Sequence, residues 1–211
     1  DPVSPSYSGN TLWLRADKDV TGGNDVTLWA DQTPGNADFV GDGTPDHTVI
    51  TNNLNYNPTV TFVQADNDVL RYTGNLNPRT MYIVYKDAAT TNWTTPFTND
   101  DADGIGHGHS DDSQLYNTTW TPADVRNGSE YVNGLSSDFI TKSRPDNYEI
   151  HSRVYLSNIS NESRNYYVGR DREQGTDRVI NGAVAEVILF SDAHTDARRI
   201  LESINSRCQI S

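Results

Sequence analysis

The stretch TNDDADGIGHGHSDDSQLYNTTW, Thr98 to Trp120, holds the residue types best suited to chemistry in this chain. Asn99, Asp101, Asp103 and Gly104 follow N-x-D-x-D-G, the first half of a loop in which alternate side-chain oxygens converge on Ca2+ and Gly permits the sharp turn. The second half departs from that pattern, because Ser110 stands where a bidentate Glu would close the cage, and no helices flank the loop. Asp111 and Asp112 could close it instead. A solvated acidic loop is the alternative, and both readings stay open. His107 and His109, spaced H-x-H among acids, offer two imidazoles to a transition metal without a third soft ligand. Trp93, Tyr116 and Trp120 border the acidic stretch. A sugar packs its C–H face on such rings while its hydroxyls meet Asp and Asn; the competing role of each ring is core packing. The expected ligand contacts are therefore Trp93, Asp100, His107, His109, Tyr116, Asn117 and Trp120. The expected metal ligands are Asn99, Asp101, Asp103, Asp111 and Asp112.

The elements that must position these residues are strands. Short runs rich in Val, Ile, Thr and Tyr alternate with Gly, Pro, Asn and Asp, and the period is two rather than 3.6. Strands are expected over Thr11–Arg15, Val26–Ala30, Thr59–Val63, Val69–Tyr72, Thr80–Lys86, Glu130–Val132, Ile150–Leu156, Tyr166–Gly169 and Ala183–Phe190. MYIVYK (Met81–Lys86) is apolar at consecutive positions, which suits a central strand covered on both faces. Arg15, Arg71 and Arg153 end or interrupt strands and suggest half-exposed sheets. The turn signal Asn181-Gly182 launches an apolar run to Phe190 that only Glu186 breaks. Thr195 then opens a short helix with Ala197, Ile200, Leu201 and Ile204 on one face. No earlier segment shows ten residues of helical spacing. The pattern predicts a single all-β domain over residues 1–211, a two-sheet antiparallel sandwich closed by one short C-terminal helix.

Composition narrows the partners. At 211 residues the chain can bury roughly 70% of its unfolded surface, enough for a core without staples. The single Cys208 excludes an internal disulfide and a multi-cysteine zinc site. A net charge of −13 gives no basic footprint for nucleic acid or anionic membrane. No apolar run reaches the roughly 18 residues of a spanning helix, so no membrane insertion is expected. The opening DPVSPSYS reads as the mature or excised start of a larger secreted protein. The N-x-S/T strings at Asn92, Asn117, Asn127, Asn158 and Asn161 are about what chance supplies in a chain this rich in Asn, Ser and Thr.

Several segments carry a resemblance in order along the chain. TLWLRADKDVTGGNDVTLWADQT (Thr11–Thr33) is similar to the opening of bacterial laminin-G-like, concanavalin A-type modules, where a strand bearing LWL-A-D precedes a glycine turn and a second strand ending W-x-D. NLNYNPTVTFVQADNDVL (Asn53–Leu70), TMYIVYK, EYVNG (Glu130–Gly134), YYVGRD (Tyr166–Asp171) and INGAVAEVILFSD resemble its later anchors. The exit SINSRCQIS departs from the family pattern, and Asp87 to Asp124 matches none of it. The resemblance implies a concanavalin A-like jelly roll acting outside the cell or at its surface. Such a module is expected to be a noncatalytic, Ca2+-supported part of a bacterial adhesin or surface protein. It would bind a glycan or cell-surface protein, and would be monomeric as an isolated domain. Within that family Glu186 is a frame residue expected to pair with an arginine.

Enzymes sharing the sandwich supply the alternative: a polysaccharide-active hydrolase or lyase, or its accessory carbohydrate-binding module. Laminarinase-type hydrolases carry E-x-D-x-E or E-x-D-x-x-E, whose alternation sets acid and nucleophile about 5–5.5 Å apart on one face. The string is missing here, as are the Arg-rich, Gln-x-His and Tyr-x-Lys strands of alginate lyases and the elbow G-x-S-x-G. No catalytic residue is therefore expected.

Overall fold

The computed structural model describes residues 9–41, 48–88, 93–100, 105, 108, 114–159, 164–172, 178–194 and 197–210, apart from the side chains of residues 52 and 197. In chain order these residues form β1 (Asn10–Arg15), β2 (Val20–Thr21), β3 (Leu28–Trp29), β4 (Phe39–Gly41), β5 (Thr48–Leu54), β6 (Asn57–Phe62) and β7 (Leu70–Gly74). They continue through β8 (Thr80–Asp87), β9 (Phe97–Asn99), the one-turn helix α1 (Ala123–Arg126), β10 (Ser129–Val132), β11 (Leu135–Ser136), β12 (Glu149–Val154), β13 (Arg164–Val168), β14 (Gly182–Phe190) and α2 (Ala197–Cys208). All the strand pairings are antiparallel, in two sheets. The larger runs β11-β10-β12-β8-β14-β6-β5 with β1 also on β14, and the smaller runs β2-β3-β4-β7-β13-β9.

The expected two-sheet β-sandwich with one C-terminal helix is the architecture found. Strand β8 lies between β12 and β14, and its alternation explains the unbroken MYIVYK run. Met81, Ile83 and Tyr85 join the core between the sheets, while Tyr82 and Val84 join a second core beneath α2. Ile200, Ile204 and Cys208 of α2 fill that second core with Trp13, Ile188 and Phe190. Each buried aliphatic side chain contributes roughly 1.5–3 kcal/mol.

Strand β14 carries two partners along one edge, β6 on Gly182–Val184 and β1 on Glu186–Phe190. Against β8 its register shifts between Val184 and Glu186. That bulge has a chemical consequence. Val184 faces the inter-sheet core, and strict alternation would send Glu186 there as well. The extra residue, Ala185, turns the carboxylate toward α2 instead, where its Oε1 accepts Trp13 Nε1–H at 2.7 Å and Arg207 Nη2–H at 2.6 Å. Bulges re-aim side chains in this way.

Other buried acidic positions also belong to the frame. Asp31, which ends the W-x-D string, is buried and accepts from Trp13 N, Thr33 N, Thr33 Oγ1 and Ala37 N. It ties β1 to the turn after β3. Asp68 accepts Val63 N–H, and Asp87 accepts Asn181 N–H and Thr94 Oγ1–H. Each carboxylate satisfies backbone donors that a loop would otherwise leave unpaired. Among the described residues no helix is long and apolar enough to cross a membrane.

Candidate functional site

The stretch that matches no motif, Asp87 to Asp124, is sewn onto the smaller sheet and the sandwich rim. Strand β9 pairs with β13 as an edge strand. Asn99 is fully buried, and its Oδ1 accepts Ile105 N–H at 3.0 Å, which closes the chain on itself across the intervening acids. Ile105 then plugs the inter-sheet core with no exposed surface. It is the only large apolar residue between Thr98 and Leu115. Asp100 clasps Asn165 of β13, accepting its backbone N–H at 3.2 Å and its Nδ2–H at 2.7 Å.

Gly108 forms a second anchor. It donates its N–H to the buried Asp171 at 3.2 Å, and Arg178 Nη1–H reaches the other oxygen of Asp171 at 3.3 Å. A Cβ on Gly108 would sit 2.2 Å from Thr94 O and 2.7 Å from the carbonyl carbon of Trp93. Only glycine permits this approach. Trp93 itself has φ +62°, in the left-handed region that bulky residues avoid. Its ring is half-buried beneath the Arg178 guanidinium, 5.5 Å from the ring centroid.

The third anchor is Leu115–Tyr116, whose two N–H groups both reach Phe139 O. Tyr116 is 1% exposed and serves the core. Arg153 of β12, expected at a half-exposed position, is instead buried with its guanidinium 3.8 Å from the Tyr116 ring centroid and 4.7 Å from that of Phe139. Burial pulls its pKa down to about 10, which leaves it charged at neutral pH. The face-on rings replace part of its lost hydration. Across from it on β10, Glu130 accepts Phe139 N–H at 2.7 Å through Oε2, while its Oε1 has no hydrogen-bond partner. Burial, with a smaller push from Asp138, raises its pKa to about 7.

Deeper on the same face, Tyr85 Oη, His151 and Glu149 form a chain, with His151 Nδ1 3.1 Å from Tyr85 and Nε2 2.8 Å from Glu149. Lys142 completes it at 3.0 Å from Glu149. Burial lowers the His151 pKa, so the neutral ring donates from Nε2 and accepts Tyr85 Oη–H at Nδ1. Burial also raises Tyr85, which holds it as a neutral phenol.

Beyond Tyr116 the chain turns outward. Asn117 is buried and its Oδ1 accepts the N–H groups of Thr119 and Trp120, while Thr121 N–H bonds Asn117 O. The side chain thus builds a local turn that competes with regular structure. Trp120 rides on it, 54% exposed.

The structure brings Asn99 and Asp100 to the β9 edge, uses Tyr116 and Asn117 inside the frame, half-buries Trp93 and presents Trp120 to solvent. Asp101, Asp103, His107, His109, Asp111 and Asp112 lie outside the described residues. The described metal candidate, Asn99, directs its oxygen to the loop's own backbone, and among the described residues no three His, Cys, Asp or Glu side chains gather into a metal-sized group. Ile105, Gly108, Asp171 and Arg153 were not foreseen as anchors. A lone isoleucine in an acidic run was the one local signal.

The fold thus defines an all-β, two-sheet sandwich to which the described parts of the Asp87–Asp124 stretch are anchored. Comparison with models of known families, with characterised proteins and with solved structures finds no match.

Proposed function

We propose that this chain is a noncatalytic ligand-binding module, a jelly roll of the concanavalin A/laminin-G type. It works outside the cell in a bacterial adhesin or other surface protein, and it holds a glycan or a surface protein through the insertion, with Ca2+ supporting that loop. The observation that carries the reading is Trp120. A large ring held in the open by a turn whose own side chain is buried is a preorganised contact surface, and preorganisation reduces the ordering cost of binding. Two glutamates support the noncatalytic part: Glu149 is engaged by His151 and Lys142, and Glu186 by Trp13 and Arg207. Ca2+ would be held by Asp101, Asp103, Asp111 and Asp112.

A glycan array with the wild type and Trp120→Ala tests the reading. Loss of part of the array signal on substitution, with an unchanged melting curve, is the expected result; an array wholly unchanged by Trp120→Ala removes Trp120 from the site. For the metal, EDTA should lower the melting temperature, since a ligand bound only to the native state stabilises it. An unmoved curve would sink the Ca2+ claim.

A further inference from the structure

A concave surface lies where α2 meets the face of β10 and β12 that carries Tyr131 and Ile150. There a cleft of about 490 Å3 opens, within the roughly 300–1,000 Å3 of small-molecule sites. Its apolar walls are Tyr131, Ile150 and Leu201, with Ile210 at one end. The hairpin Asn133-Gly134, with φ +49° and +82°, lets the chain turn tightly, and the bare Gly134 leaves room for Leu201 to come within 3.3 Å of where a Cβ would stand.

The polar groups are carried on rigid supports. Asn133 Oδ1 accepts Ile150 N–H at 2.8 Å and its own N–H donates to Ile150 O at 2.9 Å. This holds the side-chain amide and leaves its NH2 end as the donor a ligand can use. On α2, Glu202 and Asn205 follow Arg198 and Leu201 at helical spacing, so all four line one wall. Arg198 Nε–H bonds Glu202 Oε1 at 2.8 Å, so the two opposite charges lie together and the wall has no net sign.

We propose that this cleft is a saccharide site, taking a short neutral oligosaccharide whose C–H face lies on Tyr131 and the aliphatic wall. Its hydroxyls meet the Asn133 amide, the Asn205 amide and the Glu202 carboxylate. A ligand with one apolar face and many hydroxyls fits an aromatic and aliphatic floor rimmed by amides. An anion would face Glu202 on a chain of net charge −13, and a cation would face Arg198. The proposal does not depend on the Trp120 reading, since the two surfaces share no residue.

The test is an array of neutral and acidic di- to tetrasaccharides probed with the wild type, Tyr131→Ala, Asn205→Trp and Trp120→Ala, each checked by its melting curve. Asn205 is exposed on α2, so a tryptophan there fills the cleft without entering the core. The expected result is binding of neutral sugars that falls about tenfold or more in Asn205→Trp and survives in Trp120→Ala. Tyr131→Ala should match Asn205→Trp if it folds. Binding of acidic sugars alone, no neutral sugar bound by the wild type, or neutral binding untouched by Asn205→Trp overturns the proposal. Loss in Trp120→Ala alone overturns it while leaving the insertion site standing.

Discussion

Two buried carboxylates on the larger sheet meet burial in different ways. Glu186, on the face beneath α2, receives an indole N–H and an arginine on the same oxygen. Glu130, on the opposite face, receives one backbone N–H and leaves an oxygen unmatched, although Arg153 stands opposite it in register. Both pKa values are raised by burial. The difference lies in where the neighbouring arginine aims. Arg207 reaches over from the helix to Glu186, whereas Arg153 turns its plane to Tyr116 and Phe139. Register adjacency alone therefore does not make an ion pair. The first site locks a helix to a sheet, and the second leaves a proton-sensitive group under the insertion.

The largest effect is expected at the matched site. Arg207→Met should cost about 3 kcal/mol, read from urea denaturation, because it strands a buried carboxylate. A loss below about 1 kcal/mol would show that the pair behaves as a surface contact and erase the contrast with Glu130.

Next comes the pH dependence of the unmatched site. The folded Glu130 titrates near pH 7 against an ordinary 4.5. Its contribution is therefore fully present below about 4.5 and is lost as pH rises to about 7, on the order of 1 kcal/mol per pH unit. The lowered pKa of His151 acts oppositely, weakening the fold as pH falls. The difference between wild type and Glu130→Gln removes that background. The Gln variant should gain stability relative to wild type from pH 5 to 7 and hold a constant gap above. Parallel melting temperatures across that range would mean that Glu130 is ionised in the fold, like any solvated carboxylate.

The smallest effect is reserved for Asp138, the least of the three influences on Glu130. Asp138→Asn keeps an oxygen for the Ile140 N–H and should lower the Glu130 midpoint by roughly a few tenths of a unit, measurable by NMR titration. A shift of more than half of the whole rise would make charge repulsion rather than burial the main cause.

Much of the frame was legible in local pattern. The MYIVYK run, the Asn133-Gly134 hairpin and the apolar face of α2 all express short-range rules of period and turn chemistry. Strand ends were less legible. The expected Val26–Ala30 strand shortens to Leu28–Trp29, and β5 and β9, rich in Asn and Thr, were not expected at all. Their sequences give no alternation, so only pairing with β6 and β13 makes them strands. Six of the twelve candidate site residues have described positions, and of the three aromatic candidates Trp120 is the most exposed.

The frame role of Glu186 was only implied by the family resemblance. Residue order alone settled the all-β class, the closing helix and the acidic character, because each follows from local spacing or from charge. It could not settle the bulge at Ala185, the stacking of Arg153 or the cleft beside α2. Those depend on contacts between segments far apart in the chain, where one residue of slippage reverses the face a side chain meets. Aim is a property of packed partners, and it separates Glu130 from Glu186.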